Sequence, residues 1–191
     1  MERDYQSIRS LIKPGDVIAF SGKDLPSEVV KLATQSEYVH VAIVIWRDAN
    51  NILIAESHID LSLPSVGTGK KALGVQLQWL DDRLAQQQSP TWWAALKTPL
   101  DEAGLAKLRQ WSQEIESQNI PYDFLQAIGV GLESLGLKRY NQQDDRAYFC
   151  SELVTCALQL AGAIDDQLNP ARQTPASVMA FSCFEPEVLL K

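Results

Sequence analysis

The stretch Tyr38-Val39-His40-Val41-Ala42-Ile43-Val44-Ile45-Trp46 is rich in β-branched residues, and Ile52-Leu53-Ile54-Ala55-Glu56-Ser57 has the same character a few positions on. Between them, Arg47-Asp48-Ala49-Asn50-Asn51 is turn chemistry, so the two runs read as a β-hairpin. Strands joined this closely must be antiparallel, which commits the centre of the fold to an antiparallel pairing. Each strand carries one ionisable side chain inside its apolar run, His40 and Glu56. A buried carboxylate without a partner is expensive, and a buried imidazole needs partners for its ring nitrogens, so pairing the two solves both problems. Alternation puts His40, Ala42, Val44 and Trp46 on one face of the first strand and Ile52, Ile54, Glu56 and His58 on one face of the second. Register decides how they meet. A three-residue loop sets His40 directly across from Glu56, a loop one residue shorter separates the even positions, and a five-residue loop brings His58 opposite His40 with Glu56 diagonal.

Far along the chain, Tyr148-Phe149-Cys150-Ser151-Glu152-Leu153-Val154 opens a second informative segment. The spacing of Leu153, Ala157, Leu160 and Ala161 predicts an amphipathic helix ended by Gly162. A cysteine in the first turn of a helix meets unpaired N–H groups and the positive end of the dipole, both of which favour thiolate over thiol. Cys150, His40 and Glu56 therefore supply the nucleophile, the base and the orienting carboxylate of an acyl-transfer site, with the Cys150 N–H as one oxyanion donor. Taken singly, Cys150 reads as a buried small apolar residue and His40 as a core histidine; it is their combination with Glu56 that points to chemistry. His58 reads as structural or exposed. A metal site built from His40, Glu56 and His58 is conceivable, but it leaves the position of Cys150 unexplained, so neither metal nor organic cofactor is expected.

Other elements frame these residues. A short amphipathic helix opens the chain, Lys13-Pro14-Gly15-Asp16 turns into a strand over Val17-Ile18-Ala19-Phe20, and Asp24 starts a helix with Val29, Val30, Leu32 and Ala33 on an apolar face. The glycine-rich stretch Leu63 to Gly74 is a loop beside the site, followed by a strand over Val75–Trp79 and another at Trp92–Leu96. Thr98 reads as a helix cap with Pro99 in the first turn and a helix to about Gln118, and Leu125 to Arg146 reads as a lid. Trp92 and Trp93 are strand-packing residues.

A chain of 191 residues with 46% hydrophobic content suits one domain, residues 1–191. Its net charge of −7, from 17 basic against 24 acidic residues, argues against a nucleic-acid partner. The charged opening Met1-Glu2-Arg3-Asp4 does not read as a secretory signal and no run suits a membrane span, so the chain reads as cytoplasmic without an integral membrane segment. Cys150, Cys156 and Cys183 are odd in number and lack zinc-site spacing. Six helical residues rotate Cys150 and Cys156 about 240° apart, so they do not pair, and Cys156 and Cys183 read as packing residues.

The succession Gly15-Asp16-Val17-Ile18, Ser36-Glu37-Tyr38-Val39-His40-Val41-Ala42-Ile43-Val44, Ala55-Glu56, Pro121-Tyr122-Asp123, Phe149-Cys150-Ser151-Glu152-Leu153-Val154 and Thr174-Pro175 resembles the circularly permuted NlpC-type, papain-like cysteine hydrolases of the YiiX/YebB-like branch. In that group the histidine precedes the cysteine, as here. The resemblance implies an α+β, circularly permuted papain-like fold with an antiparallel sheet packed against helices. It also implies Cys150 as nucleophile, His40 as base, Glu56 as the third member, and Tyr122 as a substrate or oxyanion contact. Relatives cleave amide bonds in cell-wall peptides, and the wider superfamily includes lecithin:retinol acyltransferase-like enzymes that move acyl groups between lipids. The expected function is hydrolysis of an amide in a small peptide. The alternatives are a thioesterase or acyltransferase acting on a lipid or acyl group through the same triad, or a silent module that binds a peptide or lipid.

Overall fold

A computed structural model describes residues 2–58, 62–71, 74–117 and 148–190. The described residues form an α+β structure around a seven-stranded sheet. Its strands are β1 (Glu2–Arg3), β2 (Val17–Phe20), β3 (His40–Arg47), β4 (Ile52–His58), β5 (Gly74–Trp79), β6 (Thr91–Ala94) and β7 (Val188–Leu190), in the order β1-β7-β6-β2-β3-β4-β5. The helices are α1 (Tyr5–Ile8), α2 (Leu25–Thr34), α3 (Leu80–Gln86), α4 (Glu102–Ser117), α5 (Tyr148–Leu160) and α6 (Pro175–Met179). The sheet is mixed rather than purely antiparallel. Every pairing but one is antiparallel; the exception is β1 beside β7, where the two ends of the chain run in the same direction.

The strands sort their side chains onto two faces, each with its own core. Val17, Ala19, Val41, Ile43 and Ile45 pack against Leu108 of α4, Val154 and Leu158 of α5, and Val178 of α6. Ile18, Phe20, Ala42, Val44, Ile52 and Ile54 pack against Tyr5 and Ile8 of α1 and Leu80 of α3. Because β2 lies between β6 and β3 and is covered on both faces, all four of its residues are buried, which explains its unbroken apolar run. Gly15, at φ +94, turns the chain into β2, and Asp16 ties that turn down. Its carboxylate accepts from the N–H groups of Lys13 (2.8 Å) and Leu96 (3.0 Å) and from Trp93 Nε1 (2.8 Å).

Some local expectations are corrected. α4 begins at Glu102, not after Thr98, because Asp101 Oδ1 accepts from Gly104 N at 2.7 Å and so takes the capping role. The apolar face of α2 is turned to solvent: Leu25 is 84% exposed and Leu32 83%. The helix approaches the body through Ser27 instead, against Gly22, where a Cβ would collide with the Ser27 hydroxyl. The helix α3 falls between two expected strands, where the sequence pattern named no element. Among the described residues no helix is long and apolar enough to cross a membrane.

Candidate active site

The hairpin β3–β4 carries two of the candidate residues, and a local irregularity determines how they meet. Arg47 pairs with Ile52, leaving a four-residue turn in which Asp48 Oδ1 accepts from Asn50 N (2.7 Å) and Asn51 N (2.6 Å). That turn alone would set even positions of β3 against odd positions of β4. A register shift between Val44 and Trp46 supplies one extra residue on β3, and below it Val44 pairs with Ile54 and Ala42 with Glu56. Below the irregularity the hairpin has the register expected of a five-residue loop, with Glu56 diagonal to His40 rather than directly across from it. One expectation is corrected: Trp46 is diverted from the His40 face to the opposite one, where it packs with the Ile43 and Ile45 cluster.

Diagonal placement still brings the groups together. His40 Nε2 donates to Glu56 Oε2 at 2.7 Å, with His40 8% and Glu56 2% exposed. Since an ionised carboxylate only accepts, Nε2 carries the proton, and Nδ1 is the ring nitrogen left for another partner. Cys150 is that partner. It lies in the first turn of α5, which packs on β3 and β4, and its side chain is hydrogen-bonded to His40. Cys150 therefore comes from the helix on one face of the sheet, while the imidazole and carboxylate belong to the other face. They join at the first residue of β3.

The electrostatics follow from this contact. Burial works to lower the His40 pKa, but the charge and hydrogen bond of Cys150, then those of Glu56, outweigh it and push the imidazole up to about 9. Burial likewise works to raise the Glu56 pKa. The charge of Arg83, the bond and charge of His40 and the charge of His58 outweigh it, so the carboxyl is held down at about 2. At neutral pH these shifts favour an imidazolium beside an ionised carboxylate.

Arg83, on α3, is the member absent from the sequence expectations. Its Nε lies 3.2 Å from Glu56 Oε1 and 3.3 Å from Oε2. The spacing of Leu80, Arg83, Leu84 and Gln87 could have signalled it, being one face of a helical turn. Gln76 of β5 is a second buried polar neighbour, directly opposite Glu56.

His58 lies closer to the centre than expected, its ring edge-on to that of His40 with centroids 4.7 Å apart. Among the described residues, no group of three or more His, Cys, Asp or Glu is arranged to hold a metal ion. Cys156 is buried, and burial pushes its thiol well above the usual cysteine range. Cys183 is partly exposed, and burial raises its pKa more modestly. A groove of about 540 Å³ lined by Leu96, Lys97, Leu100, Lys107 and Cys183 shares no residue with the His40 cluster. Tyr122, Asp123 and the candidate lid over 125–146 lie outside the described residues.

We compared the chain with models of known protein families and with curated proteins, and neither comparison gave a match.

Proposed function

We propose that this chain is a cysteine-dependent acyl-transfer enzyme, with Cys150 as nucleophile, His40 as general base and acid, and Glu56 as orienting carboxylate. The observation that carries the reading is the buried succession in which His40 is bonded to Glu56 through Nε2 and to Cys150 through its remaining side. More narrowly, we place it with the circularly permuted NlpC-type, papain-like hydrolases. This rests on the histidine strand preceding the cysteine helix and on the motifs that carry the resemblance. The substrate class is an amide in a small peptide such as one derived from cell wall. Three free cysteines suit a reducing compartment, and we place the reaction in the cytoplasm.

The reaction follows from the pairing. The Cys150 thiolate attacks the amide carbonyl, a C–S bond forms, and the carbonyl π electrons move onto oxygen. Backbone donors at the start of α5 are suited to that oxyanion. The tetrahedral intermediate collapses, the C–N bond breaks, and the His40 imidazolium gives its Nδ1 proton to the departing amine. Water then loses a proton to the neutral imidazole as it adds to the thioester, and the acid departs as the thiolate and imidazolium are regenerated. Glu56 holds the ring throughout and does not take up the proton.

Selective alkylation tests this. Cys150 is 1% exposed while Cys183 is partly exposed, so accessibility alone ranks Cys183 as the more reactive thiol. An activated thiolate reverses the order. At neutral pH, peptide mass spectrometry after iodoacetamide treatment is expected to find Cys150 modified at least about 10-fold faster than Cys183. An order that follows exposure would support a silent binding module instead.

A further inference from the structure

Arg83 reaches across from α3 to a carboxylate it need not touch for the hairpin to form. Its own fixation is extensive. Its side chain is 11% exposed, its guanidinium carbon stands 4.6 Å over the centre of the Phe20 ring, and NH1 donates to Gln87 Oε1 at 3.3 Å. Gln87 in turn donates through Nε2 to the Ser21 carbonyl at 2.8 Å, so the fork is tied to the end of β2. A planar guanidinium held on one side by an aromatic face and on another by a fixed amide has few rotamers left. Both oxygens of Glu56 lie within reach of its Nε, while only Oε2 also meets His40.

We propose that Arg83 is a positioning residue for the Cys150 reaction: it keeps Glu56 ionised and fixes the carboxylate rotamer that presents Oε2 to His40. The inference rests on the triad reading above and names the group that regulates it. The neighbours on every side agree with this. Around Glu56, Arg83 comes from α3, His40 from β3 and His58 from β4, while Gln76 on β5 is neutral. Around His40, Cys150 comes from α5, Glu56 and His58 from β4, and the β2 neighbour Phe20 is apolar. Arg83 is therefore the one permanent cation facing Glu56 among the described residues, since both histidines can lose their charge. Without it, burial of a carboxyl this enclosed acts to protonate it, and a protonated Glu56 no longer stabilises the imidazolium.

The test compares wild type, Arg83→Met and Arg83→Lys by two readouts across pH: the alkylation rate of Cys150, and the nuclear magnetic resonance titration of the His40 ring and Glu56 carboxyl. In Arg83→Met the acid limb of Cys150 reactivity is expected to move up by at least about one pH unit, with the rate at neutral pH falling about 10- to 100-fold. Arg83→Lys restores a charge without the fork, so the acid limb should return toward wild type while the neutral rate stays low. An acid limb and a rate in Arg83→Met equal to wild type would overturn the proposal, as would identical behaviour of Met and Lys variants. If wild-type Cys150 itself proves no more reactive than Cys183, it is the triad reading that fails. The titrations then decide the role of Arg83 alone: a Glu56 carboxyl that titrates higher in Arg83→Met supports it, and an unmoved one overturns it. Should Arg83→Met not fold, the Lys variant and Gln87→Ala, which releases the fork, carry the same comparison.

Discussion

His40 Nε2 and Glu56 Oε2 lie 2.7 Å apart although Ala42, not His40, is the residue paired with Glu56 across the β3–β4 ladder. The diagonal contact depends on the irregularity between Val44 and Trp46, which restores even-to-even register after a four-residue turn. It also determines which ring nitrogen faces the thiol, since Nε2 is taken by the carboxylate. The site is therefore sensitive to changes in the turn that lie well away from it.

Stability should depend on pH on both sides of neutrality. Glu56 is held below its ordinary value, so its contribution is present above about 4.5 and is lost as pH falls toward about 2. His40 is raised, so its contribution is complete below about 6.5 and is lost as pH rises through about 9. Urea midpoints measured from pH 3 to 10 should form a plateau between roughly 4.5 and 6.5. A midpoint still climbing at pH 9 would contradict the assignment of His40.

Glu56→Gln keeps the shape of the side chain and removes its charge. Arg83 is then a buried cation without a counterion, and breaking such a pair costs about 3–5 kcal/mol. The His40 imidazolium loses its carboxylate, so the alkaline limb of Cys150 alkylation should move to lower pH. Chemical denaturation and the alkylation profile check the two effects separately.

Asp16→Ala should cost stability without reordering the thiols. Three donors, Lys13 N, Leu96 N and Trp93 Nε1, lose their acceptor at the end of β2 remote from His40. The loss should be on the order of 3 kcal/mol in urea unfolding. Cys150 should still react ahead of Cys183 in the folded variant.

Replacing Leu32 with Glu tests the outward face of α2. At 83% exposure the change should alter stability by no more than about 0.5 kcal/mol. Leu158→Ala, at a side chain with no exposure, should cost about 2–5 kcal/mol in the same measurement. Equal losses would mean that α2 is packed by something the described residues do not contain.

Much of the frame was legible because local chemistry agrees with it. Val17–Phe20 reads as a strand from its apolar run and is one, and the α2 start at Asp24 reads from its cap and is bonded to Ser27 N. The Cys150 helix and its end near Gly162, at φ +74, follow from periodicity and glycine. What was not legible involves pairs distant in sequence. β1 and β7 are two and three residues long, too short to show a period, and exist because the chain ends meet. α3 lacks a side-chain cap to announce its start. The apolar residues of α2 suggested a buried face, but periodicity shows that a helix has two sides, not which one is covered.

The sequence alone determined that His40 and Glu56 belong to adjacent antiparallel strands and that Cys150 lies near the start of a helix, because those facts follow from β-branching, turn residues and helical period. Tertiary structure decided the rest: which register the hairpin takes, that the cysteine helix reaches the first residue of β3, and that Arg83 closes on Glu56. A two-residue periodicity leaves the offset between strands free, and only packing sets it. A cation from α3 enters the site because burial of a carboxylate demands one, a requirement that exists only once the chain has folded around it.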